Sequence, residues 1–221
     1  MRFVFSLLIL MICLVSLGQK KTLYSKSIFI NKDTIDLPLM DDWQEISSFN
    51  KAIKLLNSTS VQSEYPLALY VKKPGGDIFL KDENQTKINT DYIKVWTLTP
   101  ELNKKINDSI KVLVMKSLEK KFSNIQWDFK IDEYIKTHPN IFKEDYPVTI
   151  IMLDKKIINQ KLIVTMFNVA NGVASVSTLS FIFIKDMMIN IATYIPYENY
   201  KTIEKAHLVN NEFLSFLESI N

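Results

Sequence analysis

The feature that most constrains the fold of this chain is the stretch Lys161 to Pro196, where three β-rich runs follow one another with two residues between them. Asn171-Gly172 joins the first two runs. Asn-Gly is the strongest short hairpin signal, because a two-residue turn that matches the twist of the strands needs φ > 0 at both central positions. Lys185-Asp186 separates Leu179–Ile184 from Met187–Ile195 in the same way. Strands joined by two-residue turns are antiparallel neighbours. The runs are nearly continuous in β-branched and aromatic residues, so they are expected to be buried on both faces, with helices on both sides of the sheet.

The remaining segments fit around this meander. Ser27–Ile30 and Thr34–Leu37 flank Asn31-Lys32-Asp33 and predict a hairpin. Phe49, Ala52, Ile53 and Leu56 have helical spacing and predict a short helix over 48–57. Leu67–Val71 reads as a strand, Pro74-Gly75-Gly76 as a turn, Ile78–Leu80 as a short strand and Asp82–Thr90 as a surface loop. Asp91–Leu98 alternates, with Ile93, Val95 and Thr97 on one face and Tyr92, Trp96 and Leu98 on the other. Thr99-Pro100-Glu101 starts a long helix, since threonine can cap, proline is pre-set for the first turn and glutamate suits the dipole. Its stripe is Leu102, Ile106, Ile110, Leu113, Val114 and Leu118. Trp127, Phe129 and Ile131 alternate with polar residues and predict a strand with one wet face. Asp132–His138 predicts one helical turn before Pro139, and Val148–Leu153 a strand that turns at Asp154-Lys155-Lys156. Asn199 caps a closing helix to about Ser219, with Ile203, Ala206, Val209, Phe213, Leu217 and Ile220 on its apolar stripe. The expected fold is α+β: a mostly antiparallel sheet of about six to eight strands covered by amphipathic helices, like an α/β/α sandwich.

The N-terminus has a different character. Arg2, an apolar run from Phe3 to Val15, and small residues at Ser16 and Gly18 give the layout of a secretory signal peptide cleaved after Gly18. The apolar run is shorter than the roughly 18–20 residues a spanning anchor needs. A lipoprotein reading would use Cys13, but Ile12 precedes it where that chemistry wants a small residue. The expectation is an exported protein, periplasmic or secreted, with one domain over residues 19–221 and no membrane span after cleavage. About 200 residues suffice for one domain with a large core.

Cys13 is the only cysteine, so the mature chain can have no disulfide, catalytic thiol or thiolate metal ligand. Arg2 is the only arginine, and the formal net charge is +3. Lysine-only basicity, with acids interspersed, offers no guanidinium fork for phosphate or guanine, and a nucleic-acid partner is not expected. The wealth of lysine, isoleucine and asparagine suits an AT-rich bacterial genome. The chain has four glycines, none in a phosphate-binding loop or dinucleotide fingerprint, and no G-x-S-x-G elbow. The two histidines, His138 and His207, lack zinc-protease spacing and read as a loop histidine and a helix-edge histidine. His138 with Glu144 or Asp145 is the acid–base pair to check. Asp41-Asp42 and Asp132-Glu133 read as turn or helix-start acids, not calcium loops. No catalytic, cofactor or metal residue is therefore assigned. Of the three tryptophans, Trp96 and Trp127 fall on predicted strands, while Trp43 lies among polar neighbours in a predicted loop and is the candidate partner contact.

Short strands ending near Leu37-Pro38 and Trp43, a long mid-chain helix, an antiparallel meander and a closing helix with Phe213-Leu214-Ser215-Phe216-Leu217 follow in that order. This order resembles the PsbP-like α/β/α sandwich family, which includes exported and lipid-anchored bacterial members. The resemblance covers residues 27–220 and is one of element order. The chain departs from the family's Pro-x-Gly-Trp segment, because Pro38-Leu39-Met40-Asp41-Asp42-Trp43 is longer and lacks the glycine. The resemblance implies an accessory or binding role. The function expected is thus an exported, non-catalytic module that binds an envelope or extracellular protein. The alternatives are an extracellular hydrolase using carboxylates and a small-ligand or lipid carrier.

Overall fold

The structure, a computed structural model, describes residues 25–30, 32–59, 63–82, 87–103 and 106–221. The expected signal segment and its cleavage after Gly18 lie outside the described residues. In chain order the elements are β1 (Ser25–Ile30), β2 (Asp33–Pro38), β3 (Trp43–Glu45), α1 (Asn50–Thr59), β4 (Glu64–Lys72), α2 (Gly75–Lys81), β5 (Tyr92–Leu98), α3 (Pro100–Asn103) and α4 (Asp108–Lys121). Then come α5 (Ile131–Thr137), a 3-10 turn (Pro139–Phe142), β6 (Thr149–Ile158), β7 (Lys161–Ala170), β8 (Val173–Ile184), β9 (Met187–Pro196) and α6 (Lys201–Ile220).

The meander has four strands. β6 to β9 are joined by Asn159-Gln160, Asn171-Gly172 and Lys185-Asp186, and all six turn residues have positive φ. That is the backbone a two-residue turn must adopt to continue the sheet's twist. β9 then pairs with β5, which gives a seven-stranded sheet in the order β3-β4-β5-β9-β8-β7-β6. Every pairing in it is antiparallel. β1 and β2 form a separate hairpin. The fold is α+β, as the sequence led one to expect.

Both sheet faces are covered. On one face α6 places Phe213, Leu214 and Leu217 against Tyr70, Ile93, Ile182, Ile189 and Ile191, and the hairpin adds Ile30, Ile35 and Leu37. Asn221 fastens the hairpin to the end of α6 by accepting from Asp36 N (2.9 Å) and donating to Asp36 O (2.7 Å). Further along this face, Ala206 of α6 and Ile131 of α5 meet Ile151, Phe167, Val176 and Ile195. On the opposite face α1 and α2 bring Ala52, Leu56 and Phe79 onto Leu69 and Val71 of β4. There α4 packs Ile110, Val114 and Leu118 against Leu162, Val164 and Phe181. Burial of so many β-branched and aromatic side chains, each contributing about 1.5–3 kcal/mol, drives the assembly.

Several local expectations are corrected. Ile78–Leu80 is not a strand but part of α2; of its three apolar residues only Phe79 is buried, and Ile78 is 57% exposed. The single long helix after Thr99 is two. α3 stops at Asn103, whose buried amide donates to Thr97 Oγ1 (2.9 Å) and Leu98 O (2.7 Å). A second start follows at Asn107, whose side chain accepts from Ile110 N. The strand expected at Trp127–Ile131 is absent. This segment makes turns, Trp127 is 68% exposed and Ile131 begins α5, because among the described residues its one ladder-like bond to a strand is Gln126 N–H to Met152 O. Asp154-Lys155-Lys156 is not a turn: β6 runs through it with a bulge between Met152 and Asp154. Charges on an edge strand are a normal device and do not signal a bend.

Gly172 has φ +75°, and a Cβ there would lie 2.7 Å from the carbonyl oxygen of Phe142. Gly172→Ala is expected to cost about 1–3 kcal/mol. Urea unfolding would read this as a lower midpoint at unchanged slope, and wild-type stability would contradict it.

Candidate functional site

The expected site residues are placed as follows. Trp43 opens β3 opposite Lys72 and is only 8% exposed, packed in the core with Ile30 and Leu37. Its loop exposure is therefore corrected, and the hairpin β1–β2 that covers it was the missing information. Asp41 and Asp42 are exposed in the turn before it. Asp132 accepts from Tyr197 Oη (2.6 Å), and burial, then Asp132, push the Tyr197 hydroxyl up. His138 stacks on Tyr134 at 4.1 Å, with its Nδ1 3.0 Å from Thr137 Oγ1. Glu144 instead takes Lys87 at 2.8 Å, so the structure does not bring His138 and Glu144 together as a pair. Among the described residues no three His, Cys, Asp or Glu side chains gather as a metal site, and no helix is long and apolar enough to cross a membrane.

The surface that stands out is the outer side of α4 with the end of β6. The helix forms for local reasons: Asn107 caps it, Asp108 sits in its first turn, and Lys120 and Lys121 sit in its last. Yet none of its 14 residues is fully buried. Val112 and Leu113 face outward, 48% and 65% exposed, and Ile157 of β6 is 47% exposed. Val112, Met115 and Ile157 line a groove between helix and strand of about 210 Å³, rimmed by Lys111, Lys116 and Glu119. Besides its apolar packing on the sheet, α4 makes polar contacts that help hold it in place. Lys111 reaches Asp186 (2.5 Å) and Asp108 (3.1 Å), which hold its ammonium above the usual lysine value. Lys155 reaches Glu119 O at 3.4 Å. Lys116, Lys120 and Lys121 are exposed and make the outer face basic.

The adjoining edge of β6 is partly blunted. Gln126 N–H donates to Met152 O at 2.9 Å, and the Asp154 carboxylate accepts from the next residue's N–H at 2.7 Å. With the bulge and Lys155-Lys156, these are protections against strand addition. Side chains of α4 and Ile157, more than the strand's backbone, are thus what this end of the molecule offers. Leu113 was visible in the sequence only as a stripe residue; in the structure Ile110, Val114 and Leu118 of that stripe pack on the sheet, while Leu113, at the stripe's edge, turns outward.

His207 on α6 lies over the sheet with Nε2 3.3 Å from Thr165 Oγ1. Burial first, and then Lys156, lower its pKa, while Asp154 opposes. A histidine with a lowered folded pKa favours the neutral form. Its contribution is complete above the unfolded value of about 6.5 and is lost as pH falls below it. Thermal unfolding followed from pH 8 to pH 5 should show this loss, and His207→Gln should flatten part of it; an identical pH profile in the variant would contradict the assignment.

No protein-family model matches the chain, that of the PsbP family included, and no curated protein matches it. Among solved structures the chain is similar to Mog1p, a Ran-binding protein of Saccharomyces cerevisiae. That match is 12% identical, covers 90% of this chain and 94% of that one, and has a TM-score of 0.40. A superposition at that level supports no inference from one protein to the other.

Proposed function

We propose that this chain is an exported, non-catalytic module that binds another envelope or extracellular protein, and that it does so through α4 and the end of β6. The observation that carries the reading is a helix of 14 residues with no fully buried side chain, with Val112 and Leu113 turned outward and Val112 sharing a groove with Ile157. Contiguous exposed apolar surface of this kind marks interaction sites on soluble proteins. Lysines 116, 120 and 121 around it set the partner's chemistry: an apolar ridge flanked by acidic side chains. Export rests on residues 1–18 of the sequence and on no structural observation.

The catalytic alternative has less to stand on. The acids singled out in the sequence sit apart on turns and helix starts, and His138 and Glu144 have other partners. The carrier alternative meets a core in which buried side chains fill the space between sheet and helices on both faces.

The test is a pull-down from envelope extract with full-length protein, wild type against Leu113→Asp and the double variant Lys116→Glu, Lys120→Glu. Leu113 is exposed, so Leu113→Asp should change stability by less than about 0.5 kcal/mol. Both variants are expected to lose the partner that wild type enriches. An unchanged set of captured proteins, with folded variants, would contradict the reading.

A further inference from the structure

A groove of about 650 Å³ opens between residues 125–130 and the side of α5 that carries Glu133, Tyr134 and Thr137. Local bonding explains its shape. Gln126 N–H is fastened to Met152 O at the β6 edge, and Phe129 N–H donates to Gln126 O at 3.1 Å. The second bond closes a four-residue turn with Trp127 and Asp128 at its centre. Phe129 goes inward, its ring 5.4 Å from Tyr134 and 6.1 Å from Phe167. Trp127 is left outside, 68% exposed, on the rim of the groove.

The α5 side is equally fixed. Tyr134 meets Phe167 edge-on at 6.0 Å, and its hydroxyl lies 3.0 Å from that of Tyr146. Lys130 and Glu133 pair at 3.5 Å. The groove is therefore preformed, and a ligand would not have to order it. Its tip is also unspent. Among the described residues the side chains of Gln126, Trp127 and Asp128 make no hydrogen bond, ion pair or ring contact within the chain. The volume lies within the roughly 300–1,000 Å³ of small-ligand sites. Gln126, Trp127, Asp128, Lys130, Glu133 and Thr137 are all exposed, so it is an open cleft that admits the middle of a chain.

We propose that this groove binds a neutral carbohydrate chain, with one pyranose ring stacked on Trp127. The indole face is the negative side of its quadrupole and suits the slightly positive C–H groups on a pyranose face. The Gln126 amide donates to and accepts from hydroxyls, the Asp128 carboxylate accepts from them, and Lys130 donates. Two carboxylates face one ammonium in the lining, and Asp128 has no cation of its own, which disfavours phosphates and uronates. The charged rim disfavours a lipid tail. Gln126 already occupies Met152 O, so the groove offers a peptide no backbone ladder there. The site shares no residue with the α4 docking face, and each can fail without the other.

The experiment is calorimetry and saturation-transfer NMR on the full chain. The probes are the hexasaccharides of cellulose, laminarin, mannan and chitin, with oligogalacturonate and a lysine-rich peptide as charged comparisons. At least one neutral oligosaccharide is expected to bind, and to bind more tightly than either charged probe. Trp127→Ala should weaken it about tenfold or more, and Trp127→Phe, which keeps an aromatic face, should weaken it less. Gln126→Ala should also weaken it. These positions are exposed, so the variants should stay folded. Bound sugar should shield an indole from acrylamide quenching in wild type, and this shielding should be absent in Trp127→Phe. No binding by the neutral oligosaccharides at about 10 mM, preference for oligogalacturonate or the peptide, or unchanged affinity in folded Trp127→Ala would each overturn the proposal.

Discussion

Burial of β8 and β9 on both faces is the constraint on which the rest of this structure depends. Ile182, Ile189 and Ile191 point to α6 while Phe181 and Met188 point to α4. A strand with two apolar faces cannot be left half covered, so helices are required on both sides of the sheet. The three tight turns deliver these strands side by side without long-range crossovers, and the return of β9 to β5 joins the meander to the first half of the chain. The α6 side is the more completely closed, with Ala206, Phe213 and Leu217 at no measurable exposure. On that side Ser180 donates to Asn210 Oδ1 at 2.9 Å.

The opposite side is closed in two pieces, and its functional interest follows from that. α1 with α2 packs on β4 and Tyr92 of β5, and α4 packs on β7 and β8, with Leu98 of β5 and Met188 of β9 in the same cluster. Neither helix group reaches across the sheet, and α4 keeps apolar residues on its outer surface. The proposed docking face is one result of this division of the helical layer.

Sequence reasoning read the meander well because two-residue turns are local and their backbone demands are strict. Asn171-Gly172 and Lys185-Asp186 fall where expected, whereas Asn159-Gln160 was hidden behind the more turn-like Asp154-Lys155-Lys156. The failures share a cause. Whether Trp127, Phe129 and Ile131 form a strand depends on a partner strand that does not pair with them, and whether Trp43 is exposed depends on a hairpin distant in sequence. Period-2 alternation and polar neighbours carry no information about either. The break between α3 and α4 was legible in principle from Asn107-Asp108, a cap signal masked by the apolar stripe running past it.

The central claim is that α4 is a helix held by one modest face, with its other face left for a partner. Amide hydrogen exchange of the full chain tests it most directly, since exchange reports the local opening free energy of each element. The account predicts slowest exchange in β8, β9 and the middle of α6, with α4 exchanging well ahead of α6. Protection of α4 equal to that of α6 in the isolated protein would contradict it.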